Sequence, residues 1–147
     1  MKAITLWQPW ASLVGWGYKT IETRTHNRFA SLEGQQIAIH AGKKFDKDWK
    51  EQVCECVDHA LFLRIISSLK FCGIEAGSIV CVARVKEARR LTIEDNSRAL
   101  CDCEGKYGLV LEYIRPVTFP AKGKQGIWNV DFRIESDKRI NRERRNR

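Results

Sequence analysis

Residues 78–83, Ser-Ile-Val-Cys-Val-Ala, are all apolar or small, so a strand built from them needs cover on both faces. A strand of this kind cannot stand alone, and the rest of the chain has to supply its neighbours. Candidates recur along the sequence at residues 4–6, 20–24, 36–41, 107–114 and 127–130, marked by β-branched or alternating residues and separated by glycine- and proline-containing turns. In residues 36–41, alternation sets His40 opposite Ile37 and Ile39. Two segments read as helices. Residues 8–14 form a short one, with Pro9 suited to its first position and Gly15 and Gly17 to its end. Residues 46–70 form a long one, capped by Asp46, whose stripe of Trp49, Val53, Val57, Ala60, Leu61, Ile65 and Leu69 recurs at three- and four-residue steps. A further short helix begins near Glu94. Many strands with two principal helices give an α+β protein built on a small, partly open β-barrel with flanking helices.

Charge collects at two places. The chain carries +8 overall, of which +4 falls in residues 133–147, leaving a mildly basic domain at 1–132 and a basic tail without stable structure. Within the domain, residues 17–24 read Gly-Tyr-Lys-Thr-Ile-Glu-Thr-Arg. As a strand, residues 20–24 put Ile21 on one face and Glu22 and Arg24 on the other. Lys19 joins them in one cavity only if the chain bends beside it, and Gly17 makes that bend cheap. A desolvated lysine beside an arginine is a candidate base, and a glutamate can activate water or hold the two cations in place.

The pattern Gly17-x-Lys19-x-x-Glu22-x-Arg24, preceded by Gln8-Pro9-Trp10-Ala11, resembles the ASCH domain family, a branch of the PUA-like superfamily of small β-barrels. The resemblance continues more weakly through residues 37–41, 77–80 and 127–130 and so spans most of residues 1–132. It implies a PUA-like barrel whose pocket accepts a nucleobase or nucleotide, with Gln8, Trp10, Arg24, His40, Lys122 and Lys124 about the ligand. Two classes of function follow from it. Some bacterial members hydrolyse the amide of cytidine acylated on its exocyclic amine. Lys19 matches their lysine, whereas Glu22 stands where those small enzymes have a threonine, so the resemblance implies water attack assisted by Lys19 and Glu22, with Arg24 or Lys124 stabilising the oxyanion. The other class is non-catalytic binding of RNA or single-stranded DNA, in which Arg28, Lys43 and Lys44 join the basic groove and Trp10 and Tyr18 offer stacking surfaces. A metal-assisted ribonuclease is a third implication, for which the sequence offers no carboxylate cluster.

The remaining features narrow the field. No Walker loop, dinucleotide fingerprint or His-Glu-x-x-His motif is present, so no cofactor or catalytic metal is expected. Residues 1–4 are followed by proline and polar residues rather than a signal-peptide core, so the cysteines at 54, 56, 72, 81, 101 and 103 read as reduced thiols of a cytoplasmic protein, and their Cys-x-Cys steps are unlike the knuckles of structural zinc sites. No apolar run approaches the ~20 residues of a membrane span, and none is expected.

Overall fold

The computed structural model describes residues 1–132, so the tail expected at 133–147 lies outside the described residues. Six strands form one mixed sheet: β1 Lys2–Gln8, β2 Ile21–Arg24, β3 Gln36–Phe45, β4 Ser78–Arg90, β5 Tyr107–Pro120 and β6 Trp128–Asn129. Their order is β2-β5-β4-β3-β1-β6. Only β1 and β3 run parallel. The end strands β2 and β6 do not pair with each other, which leaves a half-barrel open between them. Four helices flank it: α1 Trp10–Gly15, α2 Trp49–Cys54, α3 His59–Cys72 and α4 Asn96–Ala99.

β4 is covered on both faces, as its composition demands. Cys81, Ala83 and Val85 join Ile4, Leu6, Ile37 and Ile39 in the inner core, which α1 closes with Ala11 and Val14. Ile79 and Val82 pack on the other face with Ala3, Ala38, Trp128 and Val130. Alternation from Cys81 onward, with a register irregularity between Ile79 and Cys81, divides one apolar run between two cores.

Several boundaries differ from the sequence expectation, each for a local reason. The helix expected at 46–70 is two helices, because Asp58 adopts an extended backbone (φ −70°, ψ 165°) and caps α3 by accepting the Leu61 N–H at 2.8 Å. A short polar side chain that bonds its own backbone competes with helix continuation. The apolar stripe survives the break, with Trp49, Val53 and Ile65 all buried against Leu13 and Leu100. Asp46 caps neither helix; it accepts from the Asp48 N–H (3.0 Å) and from Trp10 Nε1 (3.0 Å). Pro9 precedes α1 at the N-cap rather than occupying its first turn. β5 does not stop before Pro116 but continues to Pro120, with register shifts against β4 that accommodate the proline. β3 likewise runs on to Phe45, which carries Lys43 and Lys44 out on a strand end.

Candidate functional site

Where β1 and β3 end, beside the turns that follow β2 and β5, a cleft of about 1260 Å³ opens. Arg24, Arg28, Lys43, Lys44, Lys122 and Lys124 line it, and no aspartate or glutamate does. Three separate segments therefore deliver cations in pairs to one concave surface. No carboxylate on the cleft wall offsets these cations, so its field is positive. Aromatic surface is also present. Trp7 stands 51% exposed in the cleft, with the Lys44 ammonium 5.3 Å from its ring centroid. Phe29 lies under Arg24, guanidinium to centroid 4.6 Å.

The lysine-bearing loop after β5 is pinned from below by His40, which is 2% exposed. His40 Nε2 donates to the Ala121 carbonyl at 2.7 Å, and the Thr5 hydroxyl, 3.3 Å from Nδ1, donates there while accepting from Trp128 Nε1 at 3.1 Å. This network assigns the ring proton to Nε2, since a carbonyl can only accept. Trp128 meets the imidazole edge-on at 5.5 Å. Gly123 sits so close that a Cβ there would fall 2.4 Å from His40 Cε1. The glycine is what lets the loop settle on the histidine and turn Lys122 and Lys124 to the cleft.

The corner expected to form the pocket is divided. Gly17 does make the bend, at φ +83°, and Tyr18 and Lys19 then return their amides to the Leu13 carbonyl. The Lys19 side chain, 2% exposed, runs to α4: its ammonium donates to the Ala99 carbonyl and lies 5.2 Å from the Trp10 ring centroid. It pairs with no carboxylate among the described residues. Glu22 and Arg24 share the other face, with Arg24 Nε 3.8 Å from Glu22 Oε1. Glu22 Oε2 and Arg24 Nε are buried without hydrogen-bond partners. Arg24 lines the cleft; Lys19 and Glu22 do not. Gln8 and Trp10 are engaged in holding the fold. The Gln8 amide bonds Ser12 at both ends and the Glu75 carbonyl, and Trp10 Nε1 bonds Asp46. Tyr18, the other expected stacking surface, packs with α3, its hydroxyl 2.8 Å from Ser68 Oγ.

Of the residues expected about a ligand, Arg24, Arg28, His40, Lys43, Lys44, Lys122 and Lys124 come together. Trp7, His26 and Phe29 were not among those expectations. The signal for Trp7 was the alternation of β1, which buries Ile4 and Leu6 and turns Thr5 and Trp7 to the other face. His26 Nδ1 accepts the Arg28 N–H at 3.2 Å, and desolvation, then Arg28, then Arg24 lower the imidazole pKa. Burial pushes the Cys81 and Cys103 thiols up to about 12, so neither is a ready nucleophile. Among the described residues no group of three or more His, Cys, Asp or Glu side chains is placed to hold a metal ion. Nor is any helix among them long and apolar enough to cross a membrane.

No protein-family model matches the sequence, and no curated protein matches it. Solved structures do. An ASCH protein from Zymomonas mobilis superposes with a TM-score of 0.55 over 96% of this chain and 93% of that one, at 14% identity. A serine-to-alanine variant of the Zymomonas mobilis protein gives a TM-score of 0.50 over 97% of this chain and 94% of its own, at 13% identity. At such identity the likeness is one of fold: this chain has the architecture of an ASCH structure.

Proposed function

We propose that the chain is an ASCH-type domain whose cleft binds single-stranded nucleic acid, RNA in the first instance, through its phosphates. The observation that carries this reading is the convergence of six lysines and arginines from three segments on a cleft without a carboxylate. Phosphate contacts of this kind supply affinity without sequence preference. Trp7 adds a flat apolar surface, half exposed and flanked by Lys44, on which an unstacked base can lie. A base inside a duplex cannot reach it, so the domain prefers single strands.

The test is anisotropy titration of labelled single-stranded and duplex RNA of equal length. Trp7→Ala should weaken single-strand binding by roughly tenfold, the worth of one base stacked on an aromatic ring, and leave duplex binding nearly unchanged. Equal affinity for both forms, unaffected by Trp7→Ala, would overturn the reading.

A hydrolytic reading is supported by one observation, the two buried charges Lys19 and Glu22 on the segment that leads to Arg24, of which Glu22 has an oxygen without a partner. Removal of an acyl group from the exocyclic amine of cytidine would require substrate to displace the Lys19 ammonium from the Ala99 carbonyl. Release of cytidine from acylated cytidines by the unaltered chain, and its loss in Lys19→Ala, is the measurement that decides it.

A further inference from the structure

A second pocket, of about 170 Å³, opens beside the cleft and shares Arg24, His26 and Phe29 with it. Its floor belongs to the inner face of the half-barrel, where Leu109 of β5 and Ala88 of β4 pack with the core. Ladder register lays two rows across that face. Arg24, Tyr107 and Arg90 form the outer row; Glu22, Leu109 and Ala88 form the next one in. Directly opposed residues on one face of an antiparallel pair keep their Cβ atoms about 4.5–5.5 Å apart, so the Glu22 carboxylate stands beside the leucine that floors the pocket. Glu22 is 7% exposed, and its Oε2 has no hydrogen-bond partner. Arg24 Nε is likewise buried and unsatisfied, 3.8 Å from Glu22 Oε1. Arg24 lines the pocket, and Glu22, one row further in, sets an unpartnered acceptor directly behind that arginine and beside Leu109.

We infer that this pocket takes the guanine base of a strand whose phosphates lie in the cleft, with Glu22 accepting from N1–H and the 2-amino group and Arg24 donating to O6. The inference rests on the nucleic-acid reading of the cleft. Its basis is the donor and acceptor order of the bases. A carboxylate can only accept, and guanine alone presents two adjacent donors beside a carbonyl oxygen. Adenine and cytosine put a ring-nitrogen lone pair next to their amine, which a carboxylate repels; uracil puts a single N–H between two carbonyls. Tyr107 and Phe29 line the same space and supply ring surface for a planar guest. The carboxylate that the sequence pattern offers for catalysis is here a selector.

The experiment uses the full chain and single-stranded RNA pentamers that differ only in the central base: guanine, hypoxanthine, adenine, cytosine or uracil. The guanine pentamer should bind tightest. Hypoxanthine, which lacks only the 2-amino group, should lose roughly tenfold, as expected for one hydrogen bond to a charged acceptor. In Glu22→Gln the guanine pentamer should fall to the level of adenine, while the adenine pentamer changes less than about threefold. Pentamers that all bind with equal affinity would overturn the guanine subsite and leave the cleft reading standing, as would a guanine preference that survives Glu22→Gln. If no pentamer binds, the cleft reading fails and the subsite with it. Should Glu22→Gln fail to fold, the guanine against hypoxanthine comparison on the unaltered chain decides.

Discussion

His40 Nε2 lies 2.7 Å from the carbonyl oxygen of Ala121, and that bond fastens the loop carrying Lys122 and Lys124 to the face of the sheet. Gly123 makes the approach possible. Replacing it by valine drives a side chain into His40 and Thr5, where even a Cβ would meet Nδ1 at 2.5 Å and Oγ1 at 2.9 Å. The loop must lift, so Gly123→Val should cost about 1–3 kcal/mol of stability by overpacking. Denaturant unfolding checks the stability, and the same variant should bind single-stranded RNA more weakly because both lysines move.

Asp95 anchors the far end of β4. Its carboxylate, 4% exposed, accepts from Arg89 at 2.7 and 2.8 Å, from the Thr92 N–H at 2.9 Å and from Arg98 at 3.1 Å. The Arg89 hydrogen bonds, against the opposing effect of burial, hold its pKa well below the usual carboxylate range. A depressed folded pKa means that this stabilisation is complete above the unfolded value, about 4, and is lost as pH falls below it. Stability should therefore decline on acidification from about pH 5 downward, and Asp95→Asn should flatten that decline while costing about 2–3 kcal/mol at neutral pH. Urea unfolding from about pH 2 to about pH 7 reads both effects.

His26 reports on occupancy of the cleft. Desolvation and the fields of Arg28 and Arg24 lower its pKa in the free protein, and phosphates among those arginines reverse the field. Bound strand should raise the His26 pKa, so by linkage affinity increases as pH falls through its titration range. Imidazole chemical shifts followed against pH, with and without a single-stranded oligonucleotide, measure the change. A pKa that does not move on saturation would mean that the anion does not lie beside Arg24 and Arg28.

What the sequence reveals of this site follows local periodicity. The alternation of residues 20–24 assigns Ile21 to one face and Glu22 and Arg24 to the other, and the structure agrees: Ile21 packs with Leu91 and Val110 while Glu22 pairs with Arg24. The bend at Gly17 was legible because only its positive φ needs a glycine there. The destination of Lys19 was not, because it is decided by the Ala99 carbonyl, 80 residues away on a short helix with weak sequence signals. The break at Asp58 was hidden by an apolar stripe that continues through it. Trp7 is not singled out by composition, since large aromatic residues usually fill small barrels, yet its face of β1 opens to the cleft and leaves it 51% exposed.

If three pairs of cations hold a single strand by its phosphates, binding must weaken steeply as salt rises. Each phosphate neutralised on a single strand contributes about −0.7 to the slope of log K against log salt, so six cations predict a slope near −4 for the unaltered chain. Replacing Lys43, Lys44, Lys122 and Lys124 together by alanine should bring it to about −1.5. Binding that is absent at low salt, or a slope that the four substitutions leave unchanged, would mean that these cations do not hold a strand.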